Sequence, residues 1–169
     1  MQMRRSSMAL AAGLLVLGMS AQADTDNRLG VGARYWTNVK NIDVHNVDKN
    51  GFSWMAGYQY WPTLIGVDVE VEWLQSGYAG ATTDVFLPQA YLLVGRTIYG
   101  AVGIGGYYSD GEWGDNPFYA FRAGLNLELI PHFYLDINAN YRFEDWSGLK
   151  GSDINSDTIT LGASAWLAF

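Results

Sequence analysis

From His132 to Glu144 the chain alternates without a break. Phe133, Leu135, Ile137, Ala139, Tyr141 and Phe143 take the odd positions; Tyr134, Asp136, Asn138, Asn140, Arg142 and Glu144 take the even ones. A repeat of two is the period of an extended strand, whose successive side chains point to opposite faces, whereas a helix would mix both sets around its circumference. Ile65, Val67, Val69, Val71 and Trp73 alternate in the same way with Gly66, Asp68, Glu70 and Glu72. So do Ile159, Leu161, Ala163, Ala165, Leu167 and Phe169 with Thr158, Thr160, Gly162, Ser164, Trp166 and Ala168. A one-residue slip would exchange the two faces, so strands like these are pinned wherever one face meets an apolar surrounding and the other a polar one.

The same reading predicts eight strands, near residues 28–38, 51–61, 64–75, 83–95, 97–108, 117–130, 132–145 and 157–169. Their connections alternate in length. Trp61-Pro62-Thr63, Gly95-Arg96-Thr97 and Ile130-Pro131-His132 are tight turns, and the polar stretches 41–50, 75–82, 109–116 and 146–156 are longer loops. An even number of strands with every short turn at one end and every long loop at the other is the layout of an all-β, eight-stranded antiparallel up-and-down transmembrane β-barrel. Closing the sheet removes the unpaired backbone edges that hydrocarbon would penalise.

Alternation does not by itself say which face points outward, and here composition enters. A soluble barrel of the lipocalin type would line a pocket with the apolar set and expose the polar one. Charged residues make up 16% of the chain, against about 25% in ordinary soluble domains. Lys40, Lys49 and Lys150 all fall in or at the edge of loops, none on a polar strand face. Aromatics gather near strand ends, with Tyr35, Trp73, Tyr108, Tyr119, Phe143 and Trp146 toward the loops and Tyr58, Tyr60, Phe133 and Phe169 toward the turns, as two interfacial girdles require. Residues 1–23 read as a cleaved signal peptide: Arg4 and Arg5, an apolar stretch from Met8 to Gly18, and Ala21-Gln22-Ala23 as the cleavage pattern. The apolar stretch is well short of the ~20 residues of a spanning helix. The barrel domain is therefore expected over residues 24–169.

The signal peptide, the eight amphipathic strands and the terminal Ala163-x-Ala165-x-Leu167-x-Phe169 resemble the small bacterial outer-membrane barrels of the OmpA-barrel, OmpX and opacity-protein type. The resemblance implies residence in the bacterial outer membrane among lipids and lipopolysaccharide, as a monomer with an envelope structural or surface-interaction role. It also implies that Phe169 belongs to the signal read by the barrel-assembly machinery. Because the sequence stops at Phe169, no peptidoglycan-binding domain is expected and a cell-wall tether is not carried over.

If the apolar faces meet lipid, parity sends Arg34, Gln59, Asp68, Glu70, Glu72, Gln89, Tyr91, Arg122, Asn126, Glu128, Asp136, Asn138, Asn140, Arg142, Glu144 and Thr160 into the lumen. Eight strands enclose a space that side chains can fill. Buried charges need partners, so three arginines among six acids are read as a polar plug held by ion pairs. The alternative is a narrow channel for small or hydrophobic solutes, cation-preferring because the acids outnumber the arginines. Glycines at 100, 103, 105 and 106 are expected to curve the fifth strand under cover of Tyr99 and Tyr107, and Pro88 to mark a bulge or a weak pairing in the fourth.

Other chemistries have less support. The absence of cysteine excludes a disulfide scaffold, a thiolate metal site and a thiol nucleophile, and a net charge of -7 argues against nucleic acid as a partner. A lipid A-modifying enzyme would need a serine activated by histidine. His45 and His132 fall at opposite ends of the predicted barrel, with Ser109, Ser147 and Ser152 in loops nearer His45. No cofactor or metal site is expected, and the loop acids, Asp110, Glu112 and Asp115 among them, read as a solvated rim lacking calcium-loop spacing.

Overall fold

A computed structural model describes residues 26–38, 50–76, 83–114, 116–143 and 158–169. The signal segment, His45, Glu144 and Trp146 lie outside the described residues. Eight long strands form the wall among them: β1 Asn27–Asn38, β2 Asn50–Tyr60, β3 Ile65–Leu74, β4 Val85–Gly95, β5 Ile98–Gly105, β8 Phe118–Ile130, β9 Phe133–Phe143 and β10 Thr158–Ala168. Two short strands, β6 Tyr108–Ser109 and β7 Glu112–Trp113, form a small ribbon between β5 and β8. Every neighbouring pair is antiparallel. The β1–β10 ladder joins the two ends of the chain and the β3–β4 ladder completes the circle, so the sheet is a closed barrel.

Which residues face out follows the alternation. On β3, Ile65, Val67, Val69, Val71 and Trp73 are 40–57% exposed, while Asp68, Glu70 and Glu72 are buried at 0–1%. The hydrophobic residues thus coat the outside, and the charges lie within. A chain built this way needs an apolar surrounding for its outer wall.

The fifth strand, expected to run to residue 108, lapses after Gly105 and resumes as β6, which pairs with β4 in the same register at Phe86↔Tyr108 and Val85↔Ser109. The chain then turns back into β7 over Asp110 and Gly111, which have φ of 53° and 87°. Positive φ at two successive residues, the second a glycine, is the signature of a two-residue hairpin turn. Asp110-Gly111 is therefore a turn first and part of an acidic cluster second. Pro88 produces no bulge, because the β3–β4 register runs unbroken from Ile65↔Val94 to Leu74↔Val85. Its effect falls on the other neighbour: the ladder lapses beyond Gln89↔Gly105, where Pro88 O accepts from Gly106 N at 3.1 Å with no N–H to give back, and resumes at Phe86↔Tyr108. A register shift lies between Glu128 and Ile130 in the β8–β9 pair.

Inward glycines make room for lumen aromatics. A Cβ on Gly103 would come within 2.4 Å of the Tyr91 ring, and one on Gly105 within 2.3 Å of Phe118. Tyr99, expected to cover the glycines of its own strand, lies over Gly124 of β8 instead, 2.6 Å from where a Cβ would stand.

Candidate functional site

Three carboxylates at every second residue of β3 rise through the lumen in one row, about 6–7 Å from one to the next at strand rise. Arginines from three other strands lock into that row. Arg34 of β1 reaches Glu72 at 2.7 Å through Nη1 and Glu70 at 2.9 Å through Nη2. Arg122 of β8 reaches Asp68 at 2.7 Å and Glu70 at 2.5 Å, and its Nε donates to Asn140 at 2.7 Å. Arg142 of β9 pairs with Glu72. Glu70 thus holds two arginines, and Arg34 and Arg122 each span two successive carboxylates.

Neutral groups fill in around the charges. Ser53 donates to Glu72 at 2.5 Å and Gln89 Nε2 donates to it at 3.2 Å. On β9, Asn140 donates to Asn138 at 2.8 Å, and Asn138 and Tyr99 donate to Asp136 at 2.5 and 3.0 Å. The Arg122 guanidinium lies 3.6 Å from the centre of the Tyr91 ring. All of these polar side chains are buried.

Apolar clusters flank the charged layer. On the long-loop side, Trp36, Leu74, Val85, Leu87 and Phe118 are buried together with Tyr107 packed against them. From the short-turn side, Trp61, Leu93 and Tyr99 run inward to Tyr91, Ala101 and Ala120. The Trp61 indole donates to Gly95 O at 3.2 Å, and Arg96 clamps the Trp61 carbonyl at 2.6 Å.

Two assignments by parity need correction. Glu128 is exposed, not part of the network; it lies near the turn end of β8, just before the register shift, and accepts from His132 N at 3.3 Å. Arg28, passed over although it shares parity with Arg34, is buried at 1% and lies 3.8 Å from the Tyr134 ring centre and 5.3 Å from that of Trp61. With Arg28 gained and Glu128 removed, the lumen holds Arg28, Arg34, Arg122 and Arg142 against Asp68, Glu70, Glu72 and Asp136 among the described residues. The excess of acid that motivated a cation pathway is absent from this set.

Among the other singled-out residues, Tyr35, Tyr58, Tyr60, Trp73 and Tyr108 are exposed on the outer face, and Tyr119, Phe133 and Phe143 are half-buried there. Tyr119, Phe121 and Tyr141 each contact the Phe143 ring, at centroid distances of 5.5–6.0 Å. Phe169 is half-buried and its N–H donates to Asn27 O at 2.9 Å, extending the closing ladder. Ser109 bonds Thr83 at 2.8 Å and the carbonyl of Asp84 at 3.1 Å.

Comparison with known proteins agrees with this geometry. Neisserial surface protein A superimposes with a TM-score of 0.59 at 12% identity, over 85% of this chain and 97% of that one. The attachment invasion locus protein Ail of Yersinia pestis gives 0.42 at 18% identity, over 85% and 96%, and the outer membrane protein AlkL gives 0.45 at 15%, over 90% and 94%. No curated protein sequence matches the chain. The profile of the outer membrane protein beta-barrel domain matches residues 9–165, and the chain accordingly belongs to that family of outer-membrane barrels.

Proposed function

We propose that this outer-membrane barrel is a closed-lumen envelope protein that presents its long loops at the cell surface, with no transport or catalytic duty. The observation that carries this reading is the charge-balanced, fully buried ion-pair ladder lying between two apolar clusters. A conducting pore needs a continuous hydrated path, and an uncompensated ring of one charge to select its ion; neither is favoured by four buried guanidinium groups alongside four buried carboxylates among the described residues. Purified protein in planar bilayers should show no stable conductance, and reproducible nanosiemens-scale channels abolished by Arg122→Ala would overturn the reading.

In the same reading residues 1–23 are removed on export, residues 24–169 form the barrel domain, and the mature protein works as a monomer. Phe169 serves as the end of the assembly signal recognised by the barrel-insertion machinery, in line with its place on the closing ladder. A catalytic role finds no support in the partners of Ser109 or in the position of His132 at a short turn. Mass spectrometry of lipid A from deletion and parent strains checks this, with an unchanged acyl pattern expected.

A further inference from the structure

On the outer wall, residues directly opposite one another join into a row that winds around the barrel. From Ile98, the first residue of β5, it passes to Leu125 on β8, Ile137 on β9, Ala163 on β10 and Ala33 on β1. It continues through Trp54 on β2, Trp73 on β3 and Phe86 on β4 to Tyr108 on β6, and one step beyond to Trp113 on β7. Because β6 keeps the register of β5, Tyr108 stands on the strand line where the row began: eight steps around have carried it from residue 98 to residue 108, ten residues on. That offset fixes depth. With strands about 4.8 Å apart and a rise of about 3.3 Å per residue, ten residues against eight strands tilt the strands by about 40° and lift the row by about 25 Å in one circuit. The apolar band of an outer-membrane barrel is itself about 25 Å tall. Ile98 directly follows the turn residues Arg96 and Thr97 at the lower edge of that band, so Tyr108 and Trp113 reach its upper edge.

The chemistry of the row changes with height. Its first five residues are aliphatic; its last five are aromatic and 36–65% exposed. The ribbon that carries the last two is two-faced: Tyr108 and Trp113 oppose each other on the side that continues the lipid-facing wall, and Ser109 and Glu112 on the other. It is also fixed in place. Tyr108 and Ser109 pair with β4, the Ser109 hydroxyl donates to Asp84 O, and the Trp113 ring lies over Gly106, 3.5 Å from where a Cβ would stand, and 5.3 Å from the Tyr108 ring. Tyrosine and tryptophan, each an apolar ring with a polar tip, settle where hydrocarbon gives way to headgroups. We infer that the partner of the β6–β7 ribbon is the lipid headgroup layer at the long-loop end, in which Tyr108 and Trp113 seat and clamp the ribbon flat to the membrane surface. The ribbon thereby extends the wall and does not project into water as a recognition hairpin.

This seating needs only the lipid-facing wall and holds whether or not the lumen conducts. The test places the full barrel in phosphatidylcholine nanodiscs, uses a nitroxide carried on the lipid headgroup as the probe, and reads the indole N–H signals by NMR. The Trp113 Hε1 signal, identified by its loss in Trp113→Phe, is expected to broaden at least as much as that of Trp73, two strands back along the row. Should that variant not fold, the Gly106 and Gly114 amides beside the ring carry the same reading. A Trp113 signal that broadens less than that of Trp73 places the ribbon in water above the headgroups and overturns the proposal. A Trp73 signal that does not broaden overturns it as well, because the row would then lie at a different depth.

Discussion

The outer wall and the lumen are made by the same strands, yet they obey different rules. On β3 the outward residues Val67, Val69 and Val71 meet lipid, which any apolar side chain of similar size satisfies. The inward residues Asp68, Glu70 and Glu72 each need particular partners from other strands. The wall is therefore specified by a class of residue, and the lumen by individual residues. A fault in the wall costs transfer energy for one side chain, whereas a fault in the lumen strands a charge where water does not reach it.

The sharpest way to break this contrast is Glu70→Ala. It leaves Arg34 and Arg122 each short of a carboxylate, and removing one partner of a buried pair costs about 3–5 kcal/mol. Urea unfolding from lipid vesicles should show that loss, and a drop below about 1 kcal/mol would mean the lumen is wet enough to screen its charges. Next comes Val69→Lys, near the middle of β3 on the lipid face, where a lysine is expected to cost about 2–4 kcal/mol. The same unfolding assay reads it, and a neutral result would remove Val69 from the hydrocarbon.

Gly103→Val drives a side chain into the Tyr91 ring, where even a Cβ would stand at 2.4 Å, and overpacking of this kind costs about 1–3 kcal/mol. Its counterpart Gly100, outward-facing with nothing nearer than 3.9 Å, should accept valine with no loss, so the pair measured together isolates the lumen's lack of room. Smallest of all, Val69→Ile should stay within about 0.5 kcal/mol of the parent. A larger effect would show that the wall, too, is packed against something specific.

Much of the architecture was legible before any coordinates. The strict alternation of β3, β9 and β10 placed the strands to within a few residues, composition told inside from outside, and parity sent Arg34, Asp68, Glu70, Glu72, Arg122, Asp136 and Arg142 inward. Glu128 keeps its register with Tyr134, but parity carries no depth: at the turn end of β8, where residues 127–130 are all exposed, an inward-parity side chain meets solvent and not the packed lumen. Arg28 had the same signal as Arg34 and went unread at the start of its strand. The β6–β7 ribbon was legible in Asp110-Gly111, but a hairpin turn and an acidic cluster share those letters, and only φ separates them.

Alternation is a local property, carried by neighbours along the chain, and it determined the strands and their two faces; the scarcity of charge, the placing of lysines in loops and the aromatics at strand ends determined which face meets the membrane. Which arginine meets which carboxylate was decided by closure alone. Arg34 lies 36 and 38 residues from its two glutamates, Arg122 52 and 54 from its acids, and Arg142 70 from Glu72. No period in the chain encodes such separations. They come from strand register and from the geometry of a barrel just wide enough for its side chains to meet, and the balance of charge in the lumen comes with them.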